Sequence, residues 1–526
     1  MIGNPPFLGG SKKRRELGGA YFEALDSVFT GRVPGGADLV CYWFDKARAA
    51  IETNGLGAAG LVATQSIRSG SNRAVLDAIR KNTRIFDAWS DEAWINDGAA
   101  VRVSLVSFGL SNCCYLNGQQ AEQITADLRA TRGLDLTTAT RLGENLNRAF
   151  KGAEKSGNFD VTGDVARNWL RSPNPHGKSN ADVLKPWFNG GDIVDGRPSD
   201  HWVVDFGVNT SEAAASLYEA PFTHLVEAVR PARIKNDDRG RRENWWRFGR
   251  NGADMRVGIL GLPRFLVTVR TAKHRTFVWF NPTCSPDSRL FVIASADDAT
   301  FGILSSRVHE VWSLGKASMH GVGNDPTYNA KSCFETFPFP EGLTPKDTAS
   351  QKNETLPDGS VIPEFPTKQE NQTLVGLVSG ATSKRPKAVE RSVPTPPALG
   401  LSTANGLKVR GFAEAIAKAA KHLNDLRENW LNPPEWTDRI PEVTPLGMTS
   451  SPYPDRTLAK PGHEKDLAER TLTKLYNQRP AWLESAHKQL DATVAAAYGW
   501  ADYTSEMPDE EILKRLLALN LERTAA

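Results

Sequence analysis

The tetrapeptide Asn4-Pro5-Pro6-Phe7 joins residue types that could activate a ring-bound amino group for methylation. Such a nitrogen is a poor nucleophile because its lone pair is delocalised into the ring. Two acceptors aimed at its hydrogens would draw it towards a tetrahedral, reactive form. The Asn4 side-chain oxygen can supply one acceptor and the Pro5 carbonyl the other. Proline fixes φ and carries no N–H to compete. Phe7 adds a flat face on which an extruded base could stack. The plain alternative is a turn, since Asn-Pro is a turn dipeptide. A corner of this kind is expected at the carboxyl end of a buried strand. Here only Met1, Ile2 and Gly3 precede it, which predicts a chain beginning inside a domain, either as a fragment or as one piece of a split enzyme.

The elements that would carry this corner follow directly. Ala37 to Ile51 places apolar residues at helical spacing, and Gly60 to Thr64 reads as a buried strand. Asn72 to Lys81 predicts a helix with Val75, Leu76 and Ile79 inward. Ile85 to Trp89 and Val101 to Phe108 predict strands. The order suggests the second half of an open α/β sheet. The run Lys12-Lys13-Arg14-Arg15 reads equally as a phosphate grip or as a solvated helix start.

The chain has 526 residues with a net charge of +3, enough for two or three domains but not globally basic, so any nucleic-acid surface must be local. Its five cysteines include no Cys-x-x-Cys pair and its nine histidines no ligand spacing. That predicts no metal and no disulfide framework, and fits a reducing cytoplasm. Neither a signal peptide nor an apolar run of membrane-spanning length is present.

Residues 116–201 read as a mixed connector, with a helical stretch expected around Ile124–Leu142. Residues 202–340 read as β-rich and aromatic. Arg239, Arg241, Arg242, Arg247 and Arg250 form a basic cluster interleaved with Trp245 and Trp246, and Arg270, Lys273, His274 and Arg275 form a second. These arginines and lysine are the DNA-binding candidates, gripping phosphates or reading base edges. The alternatives are a charge-protected strand edge and, for the tryptophans, core packing. Arg307 and His309 are weaker candidates. Residues 341–403, rich in Pro, Ser, Thr, Lys and Glu, read as a disordered linker or insertion. Residues 404–526 predict helices at Ala413–Trp430, Leu467–Tyr476, Pro480–Tyr498 and Pro508–Glu522, with Leu483, Leu490, Val494 and Ala497 as a packing stripe.

Several segments together carry a family likeness: Gly3-Asn4-Pro5-Pro6-Phe7-Leu8-Gly9-Gly10, Ala37 to Phe44, Asp87 to Glu92, Asp97 to Val103, Trp245 to Arg250, His309 to Trp312, Phe334 to Pro340 and the tail Leu475 to Asn520. The chain resembles the adenine-specific, S-adenosylmethionine-dependent DNA methyltransferases of the MmeI-like restriction–modification group. The resemblance implies a partial Rossmann-like α/β methyltransferase sheet over 1–115, an α+β target-recognition domain over 202–340 and a C-terminal helical bundle. It implies that Asn4 and Pro5 bind the target amine, Pro6 shapes the pocket and Phe7 stacks on the flipped adenine of duplex DNA. In such enzymes the glycine-rich loop and acidic residue that hold the donor lie upstream of the Asn-Pro-Pro-Phe motif. No residues are therefore assigned to the cofactor here, and Gly321-Val322-Gly323 is not a substitute. A separate N-terminal methyltransferase or nuclease piece is expected to complete the enzyme. Two other readings stay open: a non-catalytic DNA-binding specificity module, and a protein glutamine methyltransferase with a similar Asn-Pro-Pro corner. The long aromatic and basic block at 202–340 argues against the latter.

Overall fold

The computed structural model describes residues 1–526 except 54, 97–98, 112, 132–133, 321–324, 349–351, 366–402 and 526. It divides into two compact units, Met1–Ala139 and Thr140–Ala526. No described helix is long and apolar enough to cross a membrane.

In the first unit the elements run β1 (Ile2–Gly3), α1 (Lys13–Leu17), α2 (Gly19–Val28), α3 (Cys41–Glu52), β2 (Ala58–Thr64), α4 (Gly70–Asn82), β3 (Arg84–Asn96), β4 (Ala99–Gly109), β5 (Cys114–Leu116) and β6 (Gln119–Ala121). They build one sheet in the order β1-β2-β4-β3-β5-β6. β1 lies parallel to β2, with Ile2 opposite Gly60 and Gly3 opposite Leu61. β4 is antiparallel to both its neighbours. Alternation in β2 buries Ala59, Leu61 and Ala63. The 3.6-residue period buries Val75, Leu76 and Ile79 of α4 and Phe44, Ala47 and Ile51 of α3 in one core. The strand before the corner is thus present but short and at the sheet edge, with Ile2 95% exposed rather than buried. The boundary expected after residue 115 falls inside β5. The helical reading of Ile124–Leu142 is corrected: this stretch holds the short paired strands Gln123–Ile124 and Ala130–Thr131 and single 3-10 turns. Its apolar residues are too sparsely spaced to bury one helical face.

The second unit contains two four-stranded sheets. One runs Asp160–Thr162, His201–Val204, Leu184–Phe188, Ser285–Pro286. The other, fully antiparallel, runs Phe277–Phe280, Phe265–Val269, Leu290–Ile293, Ala149–Lys151. The span 202–312 is less β-rich than its aromatics suggest, because Glu219–Ala228, Arg230–Arg233, Arg239–Glu243 and Ala253–Gly258 are helices. Two further helices, Asp298–Ser305 and Arg307–Lys316, meet at Ser306. Helices Thr403–Leu431, Ala481–Ala497 and Asp509–Ala525 follow, and Leu483, Leu490 and Val494 are fully buried. A hydrogen at Gly302 lets the helices close up, for a Cβ there would lie 2.6 Å from Ile416 Cγ2. Phe334, Phe337 and Phe339 are core residues, their backbone held by Asn145 Nδ2 donating to Phe337 O and Asn520 Nδ2 to Thr336 O. The linker reading of 341–403 is corrected in part: Asn353–Thr355 and Val361–Pro363 form a hairpin that buries Ile362. The run Pro394 to Pro397 lies outside the described residues, as does Gly321-Val322-Gly323.

Asp491, 5% exposed, accepts from the Arg307 N–H at 2.7 Å and so caps the helix that begins there. Burial pushes its carboxyl up to about 7 against the pull of that N–H, and Glu310 adds to the rise. The folded chain therefore holds this proton more tightly than the unfolded chain. The contribution to stability is full below the ordinary carboxylate range and is lost as pH rises through about 7. Asp491→Asn is expected to flatten this part of the stability profile. Denaturant unfolding of both proteins from about pH 4 to about pH 8 checks it, and a pH-independent difference between them would refute it.

Candidate active site

The corner leaves β1 at its carboxyl end. Pro5 is buried, whereas Asn4, Pro6 and Phe7 are exposed, Phe7 by 37%. Among the described residues the Asn4 side chain makes no hydrogen bond to the protein, and its amide is open to solvent. The backbone beyond it is tied down. Leu39 N–H donates to Leu8 O at 2.8 Å. Gly10 N–H donates to Asp38 Oδ1 at 2.8 Å, while Asp38 Oδ2 accepts from Ser66 Oγ and Asn72 Nδ2, both at 2.7 Å. Asp38 N–H in turn donates to Asn72 Oδ1 at 2.7 Å. One carboxylate thus joins the corner's loop to the approach to α3, the end of β2 and the start of α4. Gly10 fits because a Cβ there would lie 2.1 Å from Gly36 O.

The basic run does not act as one group. Lys13 is fully buried, donating to Gly35 O at 3.1 Å and to Tyr42 Oη at 3.0 Å, with its ammonium 4.7 Å from the centre of the Tyr42 ring. Arg14 pairs with Glu23 and Arg15 with Glu16 on the surface. Cys41, also near Asp38, is no nucleophile: burial, helped by that carboxylate, pushes its thiol up to about 12.

Asp38→Ala is expected to lower turnover about 100-fold through misplacement of the corner, with little change in duplex affinity. Asp38→Asn, which keeps an acceptor for Gly10, should lose far less. Steady-state kinetics beside duplex titration checks the split; equal losses in both variants would show that the acceptor is irrelevant.

In the second unit the first arginine cluster lies on the helix Arg239–Glu243 and the turn after it. Arg239 is exposed and pairs with Glu243 at 2.7 Å; Arg242 is exposed, one N–H donating to Asn236 O at 2.8 Å. Arg241 and Arg250 flank Glu154 at 4.0 and 3.9 Å, Arg250 being the more exposed. Arg247 is half-buried, donating to Thr210 O and lying over Trp246. Trp245 and Trp246 are buried, their indole N–H groups donating to Glu212 Oε1 and Thr210 O, both at 3.0 Å; they pack the core and do not face outward. Arg270 and Lys273 are exposed, and Lys273 reaches Asn477 Oδ1 at 2.7 Å.

Arg275 requires correction as a contact residue. It is 7% exposed, and its guanidinium is spent on Val269 O, Thr268 Oγ1 at 3.0 Å and Pro326 O at 3.2 Å. A group committed to three internal acceptors cannot reach a phosphate. His309 is fully buried at 3.0 Å from Tyr328 Oη, and burial together with Arg275 holds its imidazole down at about 3. Arg307 is half-buried and engaged within the protein, donating to Met507 O and Asp509. Asp38, Ser66 and Asn72 escaped notice in the sequence. One signal was available: Asn72 stands in line with Val75, Leu76 and Ile79, a polar residue on an inward face.

An open α/β sheet bearing this corner, with a separate mixed α/β unit that ends in helices, defines a methyltransferase-type lobe followed by a recognition region. Residues 1–120 match the family described as MmeI, DNA-methyltransferase domain, and residues 113–341 match MmeI, target recognition domain. The chain belongs to the MmeI family. Among solved structures, the type IIL restriction-modification enzyme MmeI in complex with DNA matches with a TM-score of 0.63 at 18% identity, over 100% of this chain and 57% of that one. This likeness is one of fold, and the chain spans little more than half the length of that relative. A DrdV–DNA complex (TM-score 0.33, 10% identity, 96% of this chain and 56% of that one) and the type IIG restriction endonuclease BpuSI (0.21, 9%, 95% and 54%) are too distant to bear on it. A comparison with curated proteins returned no match.

Proposed function

We propose that this chain is the catalytic-corner and target-recognition portion of a site-specific, adenine-specific DNA methyltransferase of a restriction–modification system. The observation that supports it most is the Asn4 amide, solvent-facing beside the exposed Phe7 on a loop locked by Asp38. In this reading duplex DNA docks, the target adenine swings out of the stack and lies against Phe7. Asn4 Oδ1 and the Pro5 carbonyl accept the two N–H groups of the exocyclic amine. Each bond strengthens as the nitrogen becomes tetrahedral, so both favour the transition state over the ground state. Pro6 narrows the pocket. Arg239, Arg241, Arg242, Arg247, Arg250, Arg270 and Lys273 are proposed as the DNA-facing set, positioning the backbone more than reading bases.

S-adenosylmethionine is the proposed donor and supplies an electrophilic methyl group. The described residues near the corner do not form its seat: Asp38 is fully engaged, and the Gly9–Gly10 turn is packed against Gly36. No step is therefore assigned to residues holding the donor, and a polypeptide supplying that seat is a proposed partner. The site of action would be the cytoplasm, where the DNA lies.

The test is incubation of the full chain with duplex DNA and methyl-labelled S-adenosylmethionine, alone and with a donor-binding methyltransferase segment of the same family, followed by nucleoside analysis. Label in N6-methyladenine is expected. Label in cytosine would overturn the adenine assignment. Steeply salt-dependent duplex binding without label in either condition would favour a non-catalytic specificity module.

A further inference from the structure

The strands β3 and β4 outrun the sheet that holds the corner. β2 ends at Thr64, opposite Val103 of β4, and β5 pairs with β3 only as far as Leu116, opposite Ala88. Pairing between β3 and β4 goes on through Ala93–Arg102, Trp94–Val101 and Ile95–Ala100 to Asn96–Ala99. At about 3.3 Å per residue, the four steps from Val103 to Ala99 make a free ribbon about 13 Å long. β1, β2 and β3 run parallel, so the ribbon leaves the sheet at its carboxyl edge, where Asn4 follows Gly3.

Two tryptophans of β3 are bare: Trp89 is 40% exposed and Trp94 37%. An odd spacing such as theirs sends the side chains of a regular strand to opposite faces. A bulge reverses this. Trp89 stands opposite Leu105 and Glu92 opposite Val103, so β3 spends one residue more than β4 between those pairs. Ser90 N–H donates to Asn117 Oδ1 at 2.9 Å, Ser104 Oγ to Ser90 O at 2.7 Å and Arg102 Nη2 to Asp91 O at 3.0 Å, which fixes the bulge. Trp94 then stands opposite Val101. Val101, Val103 and Leu105 alternate onto one face of β4, and both indoles share that face with them. Val106 and Phe108, on the other face, belong to the core with α3 and α4. An apolar strip therefore runs from the sheet out along the ribbon. A contiguous exposed strip marks a binding surface, where one isolated side chain would not.

Among the described residues, charge at the ribbon's root is balanced. Arg68 and Arg102 lie 3.8 and 2.5 Å from Asp91, Arg129 lies 3.3 Å from Asp127, and Glu92 acts on Arg102. Such a root neither draws nor repels phosphate strongly, so the fit is one of shape. The major groove of B-DNA, about 12 Å wide and about 8.5 Å deep, admits a two-stranded ribbon. The free ribbon exceeds that depth and carries Trp94 about 7 Å past the last pair with β2, within reach of base edges. A base taken up at the corner comes from a duplex lying across the same edge of the sheet, so corner and ribbon meet one DNA molecule. We propose that the β3–β4 ribbon enters the major groove beside the extruded adenine, with the Trp94 indole against base edges and thymine methyl groups. This contact belongs to the catalytic lobe and is separate from the recognition region. It rests on the DNA reading of the corner.

Dimethyl sulfate footprinting tests it, on a duplex that the full chain has selected from a random pool. The reagent marks guanine N7 in the major groove and adenine N3 in the minor groove. Trp94→Glu sets a carboxylate in the groove and should weaken duplex binding at least about 10-fold. It should also uncover a block of guanine N7 atoms that the wild type protects, with adenine N3 unchanged. Trp94→Ala, a milder change that removes no phosphate contact, should weaken binding about 5-fold with the salt slope unaltered. Thermal unfolding of each variant separates a lost contact from a lost fold. An unchanged N7 pattern in folded Trp94→Glu, or wild-type affinity in Trp94→Ala, would overturn the proposal while leaving the DNA reading in place. Loss of adenine N3 protection instead would put the ribbon in the minor groove and overturn it too. A wild-type chain that selects no duplex would remove the DNA reading itself, and the ribbon contact with it.

Discussion

Asn4→Ala is expected to lower methyl transfer by about 10³-fold while duplex affinity changes by less than about twofold. The asymmetry follows from where the side chain sits. Asn4 is exposed and holds no other residue in place, so its removal leaves the Leu8–Gly10 loop fastened to Leu39 and Asp38. It also leaves every arginine of the recognition unit untouched. What disappears, in the proposed mechanism, is one of two acceptors for an amine whose N–H groups become more acidic as the nitrogen gives up its lone pair. Asn4→Asp keeps an acceptor but puts a charge beside the ring, and an intermediate rate is expected. Single-turnover kinetics with the chain in the presence of a donor-binding segment of the same family, and fluorescence of a duplex carrying 2-aminopurine at the target, separate chemistry from base extrusion. Undiminished turnover in Asn4→Ala would remove this residue from the mechanism.

Arg275→Leu should act in the opposite sense: about 3 kcal/mol of stability lost, with the salt dependence of DNA binding unchanged. The guanidinium sits at the end of the strand pair Phe265–Val269 and Phe277–Phe280 and serves acceptors on both sides of it. Leucine fills the space but leaves Val269 O and Pro326 O short of a donor. The exposed Arg242 and Arg250 provide the contrast. Their joint replacement by alanine should weaken duplex binding across sequences and lower the salt slope by roughly 2, with stability nearly intact. Chemical denaturation and salt-dependent titration of both proteins decide the matter. A destabilised Arg242/Arg250 variant, or an Arg275→Leu protein with a reduced salt slope, would reverse these assignments.

These two arginine groups also show where sequence reading stopped. Arg242 and Arg275 stand in equally basic, aromatic surroundings, and composition alone does not say which side chain turns inward. Trp245 and Trp246 pose the same problem; only the distant acceptors Glu212 and Thr210 reveal that their indoles face the core. The elements of the first unit were legible because their apolar patterns are strong. A short apolar run marks Gly60–Thr64, inside the strand Ala58–Thr64, and three-and-four spacing marks Asn72–Lys81, inside the helix Gly70–Asn82. The corner could be proposed from sequence because the chemistry proposed for it rests on four consecutive residues. The brace behind it was not, since Asp38 and Asn72 lie 34 positions apart and meet only through the packing of α3, β2 and α4. The helix Glu219–Ala228 was missed because its aromatic and β-branched residues, Phe222, Thr223 and Val226, favour strands in isolation.

The hairpin of residues 353–363 has a practical meaning for anyone altering the gene. Ile362 is sunk in the interior, Val361 N–H donates to Asp298 at 2.7 Å, and Glu354 is clasped by both ends of the Arg410 guanidinium at 2.7 and 2.9 Å. Val409 is buried and fits against Gly342, where a Cβ would come within 2.9 Å of it. Both flanks of the intervening connection are therefore moored to one body. Excising residues 353–363 would take Ile362 out of that interior and leave the Arg410 guanidinium without Glu354, so the hairpin has to be kept in any shortened version of the chain.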